Sequence, residues 1–142
     1  MDEVCTVIIR AATGKQIRQI MDLYLAQGWW HANDDGNAQL INRLIAGSHC
    51  FAIAMEKDDI VGIGRAISDG ISDAYVQDLT VRLDRRRRGI GRRILQILLE
   101  RLLADGVTWI GIIAEPGSFD LYRGAGFHQM TGCVPMLMKQ KP

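Results

Sequence analysis

Residues 84–93 read DRRRRGIGRR. Six of these ten residues are arginine, in a chain of 142 residues whose net charge is only +1. Two glycines, Gly89 and Gly91, interrupt the run, and an apolar series begins between them: Ile90, Ile94, Ile97, Leu98 and Leu102. That series follows the helical period, so the spacing predicts an amphipathic helix over Gly89–Gly106. The segment before it, DAYVQDLTVRL (Asp73–Leu83), reads as a strand. The segment after it, VTWIGIIAE (Val107–Glu115), is β-branched and apolar at alternate and intervening positions, which predicts a buried central strand. A strand–helix–strand crossover makes the two strands parallel neighbours.

Working outward, CTVIIRAAT (Cys5–Thr13) reads as a strand, and Thr13 with Gln16 forms a capping box. Ile17, Ile20, Met21 and Tyr24 then keep a helical rhythm, which Gly28 stops. WWHANDDGN (Trp29–Asn37) is a loop, and Ala38, Ile41, Leu44 and Ile45 mark a second helix ended by Gly47. HCFAIAME (His49–Glu56) and IVGIGRAIS (Ile60–Ser68) form a hairpin around KDD. SFDLYRGAG (Ser118–Gly126) is a short helix ended by Gly124 or Gly126. FHQMTGCVPMLMKQK (Phe127–Lys141) closes the chain as one broken strand or two short ones. The order β-α-α-β-β-β-α-β-α-β describes a mixed α/β fold, and the length favours a single domain over residues 1–142.

Composition narrows the class. The apolar share of 48% and charged share of 23% are those of an ordinary globule. Net charge near zero argues against a general polyanion binder. Cys5, Cys50 and Cys133 lack metal-ligand spacing, which predicts reduced, buried thiols and no metal. The opening MDEVCTVIIR has no signal-like apolar run, and no stretch approaches the roughly 20 residues of a membrane span. The expected location is the cytoplasm, with neither membrane nor nucleic acid as partner; a homodimer is left open.

The arginine–glycine stretch therefore sits at a helix start, directly after a strand. Helix N-termini carry unpaired N–H groups and bind anions. Gly89 and Gly91 let phosphate oxygens approach the backbone, and Arg86, Arg87, Arg88 and Arg92 add charge-assisted contacts. The plain alternative is a basic, solvated helix start. Cations there oppose the helix dipole, so the arrangement favours an anion among them. Other phosphate motifs fit poorly, because Ile67 and Ile94 stand where a dinucleotide fingerprint needs its third glycine, and no G-x-x-x-x-G-K-[ST] occurs.

Arg86-x-x-Gly89-x-Gly91 resembles the [Q/R]-x-x-G-x-[G/A] motif of the GNAT acetyltransferase superfamily. Leu79-x-Val81 upstream and LYRGAGF downstream, with Tyr122, Gly126 and Phe127, are similar to two further motifs of that family. The resemblance implies a GNAT-type mixed sheet splayed around an acyl-CoA site. It implies acetyl-CoA as cosubstrate, held by Leu79, Thr80, Val81, Arg86, Arg87, Arg88, Gly89, Ile90, Gly91, Arg92 and Tyr122. It implies Tyr122 as the general acid that protonates the departing thiolate.

Acetyl transfer to an amine needs a neutral nitrogen. An amine with a pKa near 10.4 is about a thousandfold protonated at neutral pH, a cost of roughly 4 kcal/mol. Candidates for the base that removes this proton are Asp78, Glu115 and His31, each with a plain alternative: Asp78 paired with an arginine, Glu115 solvated beside Pro116, His31 at a loop surface. Ordered water can substitute for any of them. The oxyanion would be met by a backbone N–H near Leu79–Val81, freed by a bulge or splay. Trp29, Trp30, His31, Asp34 and Asp35 form a candidate acceptor wall, aromatic with an acidic rim, suited to a small cationic amine. The tryptophans anchoring their loop to the core is the competing reading. Two further readings remain beside a small-molecule N-acetyltransferase: a non-catalytic acyl-CoA-binding regulatory domain, and a protein N-terminal or lysine acetyltransferase.

Overall fold

The computed structural model describes residues 3–31 and 36–139. The chain divides into two compact units, Met1–Ile112 and Ile113–Pro142. The first unit contains β1 (Val4–Ile9), α1 (Gly14–Ala26), α2 (Gly36–Gly47), β2 (Cys50–Glu56), β3 (Asp59–Ser68), β4 (Asp73–Val81), α3 (Ile90–Ala104) and β5 (Trp109–Gly111). The second carries α4 (Phe119–Gly124). The five strands form one sheet in sequential order, antiparallel from β1 to β4, with β5 parallel to β4.

Alternation of large and small residues gives this sheet two different faces. Cross-strand partners share a face. Ala52 pairs with Gly64, Ala54 with Gly62 and Cys50 with Ala66, so one face of β2–β3 is built from small residues. A Cβ placed on Gly64 would lie 2.8 Å from Ile94 and 3.2 Å from Leu98. α3 therefore seats its stripe of Ile90, Ile94, Leu98 and Leu102, all buried, closely against that face. Phe51, Ile53 and Ile63 belong to a core cluster with Ile20, Leu23 and Tyr24 of α1 and Ile41 and Ile45 of α2.

Helix ends follow their local chemistry. Both bonds of the Thr13–Gln16 capping box are present, as the sequence predicts. α1, α3 and α4 end alike, with a left-handed glycine just past the last turn: Gly28, Gly106 and Gly126. In each, the amide after the glycine donates back five residues (Trp29 to Tyr24, Val107 to Leu102, Phe127 to Tyr122) and the glycine's own amide donates back three. This is the Schellman arrangement. Its customary apolar clasp is aromatic twice: Tyr24 on Trp29 and Tyr122 on Phe127, ring centroids 5.9 and 5.7 Å apart.

Three expectations need correction. Val107–Glu115 is not a buried central strand. Only Trp109–Gly111 pairs, at the sheet edge, with Trp109 42% exposed. The apolar run does not report where its hydrogen-bonding partner ends. Residues 127–139 carry no strand, so the closing β-element of the predicted order is absent among the described residues. There, Val134, Met136, Leu137 and Met138 are exposed. Of the cysteines only Cys50 is buried; Cys5 and Cys133 are exposed. Burial pushes the Cys50 thiol up to about 11, against a weaker opposing effect of Arg101.

Candidate functional site

The site's frame is β4. Its ladder with β5 consists of Asp73–Trp109, Ala74–Ile110 and Tyr75–Gly111, and there it stops. β4 continues to Val81 with no strand partner on that edge among the described residues. On its other edge the register with β3 slips. Ile63 faces Thr80 and Arg65 faces Gln77, leaving Asp78 and Leu79 opposite the single residue Gly64. That is a β-bulge, with Asp78 in the left-handed region at φ +58°. The sequence led a bulge or a splay to be expected near Leu79–Val81, and the register shift is a bulge there.

The Asp78 side chain is already engaged. Its Oδ2 accepts from Tyr24 Oη at 2.7 Å and from Arg65 Nε at 2.6 Å. Its pairing with an arginine is the plain alternative to the base role. One residue pair further, Gln27 Nε2 donates to Thr80 Oγ1 at 2.7 Å, tying the last turn of α1 to β4. Sequence reasoning passed over Tyr24, Gln27 and Arg65. The legible clue was Arg65, a lone charge inside the apolar strand IVGIGRAIS, which needs a buried counter-charge.

β4 leads through a single tight turn at Leu83–Arg85 to the start of α3. Gly89, the residue before the helix, is left-handed at φ +79° and makes no side-chain cap, so the first amides of α3 have no side-chain acceptor there. A Cβ at Gly89 would meet no atom within 4 Å, so the glycine opens onto free space. The arginines divide. Arg85 is turned to Glu56 at 2.6 Å and to Asp84 at 2.9 Å, and Arg82 pairs with Asp84 at 2.7 Å. The Nε of Arg86 donates to the Val81 carbonyl at 2.9 Å, which fixes that side chain along the end of β4. Arg87, Arg88, Arg92 and Arg93 are exposed, and their side chains make no ion pair or hydrogen bond among the described residues. Ile90 is buried through its side chain, and Gly91 lies in the first turn. Uncapped amides, a glycine opening and unpaired guanidinium groups fit the diphosphate of a coenzyme. Beside them, a cleft of about 520 Å³ is lined by Asp22, Leu23, Gln27, Thr80, Val81 and Arg86 among others.

In the second unit, Tyr122 is 8% exposed. Burial, and then the nearby Glu115 carboxylate, push its hydroxyl up to about 12. Glu115 itself is exposed, and its backbone carbonyl accepts from the amide and hydroxyl of Ser118.

Of the acceptor wall, Trp29 and Trp30 are half-buried and pack on the core. Trp30 stacks on Tyr24 with centroids 4.6 Å apart. His31 is exposed. Asp34 and Asp35 lie outside the described residues.

A family model, "Acetyltransferase (GNAT) domain", matches residues 21–134. The chain belongs to the GNAT acetyltransferase family. This GNAT chain is 36% identical over 67 residues to serotonin N-acetyltransferase 2, chloroplastic, from Oryza sativa subsp. japonica, a match covering 47% of the chain and 34% of the rice protein. The match therefore spans about a third of that curated relative's length. Among solved structures, a GNAT family acetyltransferase from Streptococcus pneumoniae TIGR4 superposes with a TM-score of 0.79 at 22% identity, covering 99% of this chain and 100% of that one. AAC(6')-Iy, in complex with the bisubstrate analogue CoA-S-monomethyl-acetylneamine, superposes with a TM-score of 0.72 at 14% identity, covering 98% and 99%. Both likenesses concern the fold, and they place the mixed five-stranded sheet among those of GNAT proteins.

Proposed function

We propose that the chain is an acetyl-CoA-dependent N-acetyltransferase acting on the primary amine of a small molecule. One observation carries this reading: a bulged strand whose far half has no edge partner among the described residues leads directly into an uncapped, glycine-opened, arginine-flanked helix start. The first feature offers amides to a thioester carbonyl, and the second offers amides and guanidinium groups to a diphosphate.

In this reading Gly89, Ile90 and Gly91 give their amides to the diphosphate, with Arg86, Arg87, Arg88 and Arg92 around it. Leu79, Thr80 and Val81 align the pantetheine arm and meet the oxyanion. Direct attack by the amine on the thioester carbonyl forms the amide and breaks the carbon–sulfur bond. The thiolate leaves and takes a proton from the Tyr122 hydroxyl, and the second proton lost by the nitrogen as it becomes the amide returns Tyr122 to its neutral form through water. That hydroxyl, held up to about 12, is protonated at neutral pH and available to donate. Of the candidate bases, Glu115 is the exposed carboxylate without a hydrogen bond or ion pair among the described residues, and it takes the ammonium proton directly or through water. The oxygen of Asp78 shared by Tyr24 and Arg65 is poorly placed for that duty.

The small-molecule acceptor is supported by the names of two similar proteins, a serotonin N-acetyltransferase and AAC(6')-Iy in complex with a CoA-S-monomethyl-acetylneamine bisubstrate analogue. Thiol release from acetyl-CoA, followed across arylalkylamines, polyamines, aminoglycosides and short peptides, tests the reading. Release that depends on a small amine is expected. Release only with peptides would reassign the acceptor, and coenzyme binding without release on any amine would make the chain an acyl-CoA sensor.

A further inference from the structure

The bulge in β4 carries a residue that ordinarily would not be there. A bulge whose first position is left-handed favours glycine, because a Cβ in that region is strained by roughly 1–2 kcal/mol. Here the position is Asp78, at φ +58°. Aspartate is among the few side chains that visit this region, so long as its carboxylate finds partners. It finds two. Tyr24 comes from α1 and Arg65 from β3, and both bind the same oxygen. Tyr24 is buried, and the Arg65 and Asp78 side chains are 18% and 19% exposed, so the charges meet largely away from water. Burial, reinforced by the Asp78 charge, raises the Tyr24 hydroxyl far above its usual range, so it remains a donor at any physiological pH. Tyr24 is itself clamped, stacked under Trp30 and edge-on to Trp29.

We infer that Asp78 is a positioning residue: the Tyr24–Asp78–Arg65 lock holds the β4 bulge in its left-handed turn and so aims the amides of Leu79–Val81 at the thioester carbonyl. This rests on the acetyl-CoA reading above and deepens it, since it replaces a proton-transfer duty for Asp78 with a geometric one. The distinction is chemical. A base must lose its function when it cannot take a proton. A lock needs only an acceptor oxygen and tolerance of a left-handed backbone. Asparagine supplies both, whereas alanine supplies neither. The same network reaches the acceptor loop, because Trp29 and Trp30 rest on the tyrosine that grips the bulge.

The test needs no acceptor. The carbonyl of [1-13C]acetyl-CoA bound to the protein reports hydrogen bonding at the thioester by its infrared stretch. In the wild-type chain the stretch is expected to fall in frequency relative to free acetyl-CoA. Tyr24→Phe removes one hydroxyl from the lock and is expected to abolish most of that displacement while the coenzyme dissociation constant changes by less than about threefold, since the diphosphate contacts are untouched. Asp78→Asn is expected to keep the displacement, and Asp78→Ala to lose it. With any amine the enzyme accepts, kcat should fall by about 100-fold in Asp78→Ala, the scale of a lost oxyanion donor, and by less than about tenfold in Asp78→Asn. A displacement that survives both Tyr24→Phe and Asp78→Ala overturns the lock and leaves the acetyl-CoA reading standing. If Asp78→Asn keeps the displacement but abolishes turnover, Asp78 is a base after all and the inference falls. A wild-type chain that does not bind acetyl-CoA overturns the functional reading and this inference together. Should Asp78→Ala fail to fold, Tyr24→Phe and Asp78→Asn decide the matter alone.

Discussion

Gly89 is needed for two reasons, one legible in sequence and one not. The reading of DRRRRGIGRR finds a residue without a Cβ where phosphate must approach backbone. The structure adds φ +79°, a conformation costly for any other residue there. Gly89→Ala therefore pays roughly 1 kcal/mol of strain with little steric change, because the space around it is open. Gly89→Glu adds a negative charge at the mouth of the anion site. Coenzyme affinity should fall at least 100-fold in calorimetry, about 3 kcal/mol, while the alanine variant should lose no more than about tenfold. An unchanged dissociation constant in Gly89→Glu would move the diphosphate elsewhere. The arginine count promised more than the site delivers, since Arg85 serves Glu56 and Asp84. A run of like residues does not disclose which of them acids elsewhere in the chain have claimed. Tyr122 makes a second residue-scale claim. Its hydroxyl is raised, so the native state holds the proton longer than the unfolded chain does. Its contribution to stability is whole below pH 10 and is lost as pH climbs from about 10 to about 12. Tyr122→Phe should remove that part of the alkaline unfolding transition. It should also lower kcat by about 100-fold with little change in coenzyme affinity. Equal turnover would take Tyr122 out of the chemistry.

Among the elements, the helices were readable because their ends are written locally. A capping box needs two residues three apart, and a Schellman end needs one glycine and one apolar residue. The LYRGAGF stretch is such an end: Tyr122 offers the carbonyl, Gly126 turns left-handed at φ +102°, Phe127 returns the amide and clasps the tyrosine ring. Its glycine and phenylalanine are thus structural, holding the last turn of α4 on which Tyr122 sits. Two neighbouring glycines then respond in opposite directions. Gly126→Ala should destabilise by about 1–2 kcal/mol, because a Cβ is strained there. Gly124→Ala, inside the helix with no atom within 4 Å of the new Cβ, should stabilise by about 0.5–1 kcal/mol. Thermal unfolding of both variants checks the pair, and a same-sign result would refute the cap. The strands were harder to read for a physical reason. A strand is completed by a partner distant in sequence, so the length of VTWIGIIAE could not reveal that only three of its residues would pair. The bulge's exact place, at Asp78, was equally hidden, since it is a relation between Gly64 and two residues of another strand.

At the scale of the sheet and the helix crossing it, position follows from volume. α3 presents Gly89 at the exit of β4 because it lies low on the Ala–Gly face of β2 and β3, and its depth is set at Gly62 and Gly64. Composition did not expose this, because nothing local in IVGIGRAIS marks Gly62 and Gly64 as the seat of Ile94. Gly64→Val would force its branched side chain against Ile94, Leu79 and Leu98, whose atoms already lie 2.8–3.2 Å from a single added carbon. Overpacking of this kind costs about 1–3 kcal/mol. The melting temperature should drop accordingly, and the coenzyme should bind several-fold more weakly even though residue 64 is no part of the anion site. Leu79 is among the atoms pushed, so the disturbance reaches the bulge from behind. A double variant, Gly64→Val with Ile94→Ala, makes room on the helix for what is added on the strand. Its destabilisation should be smaller than the two single effects taken together, by about 1 kcal/mol or more, as expected of residues in direct contact. Strict additivity would mean that α3 is not seated on this face, and the geometry that brings the helix start to the end of β4 would need another cause.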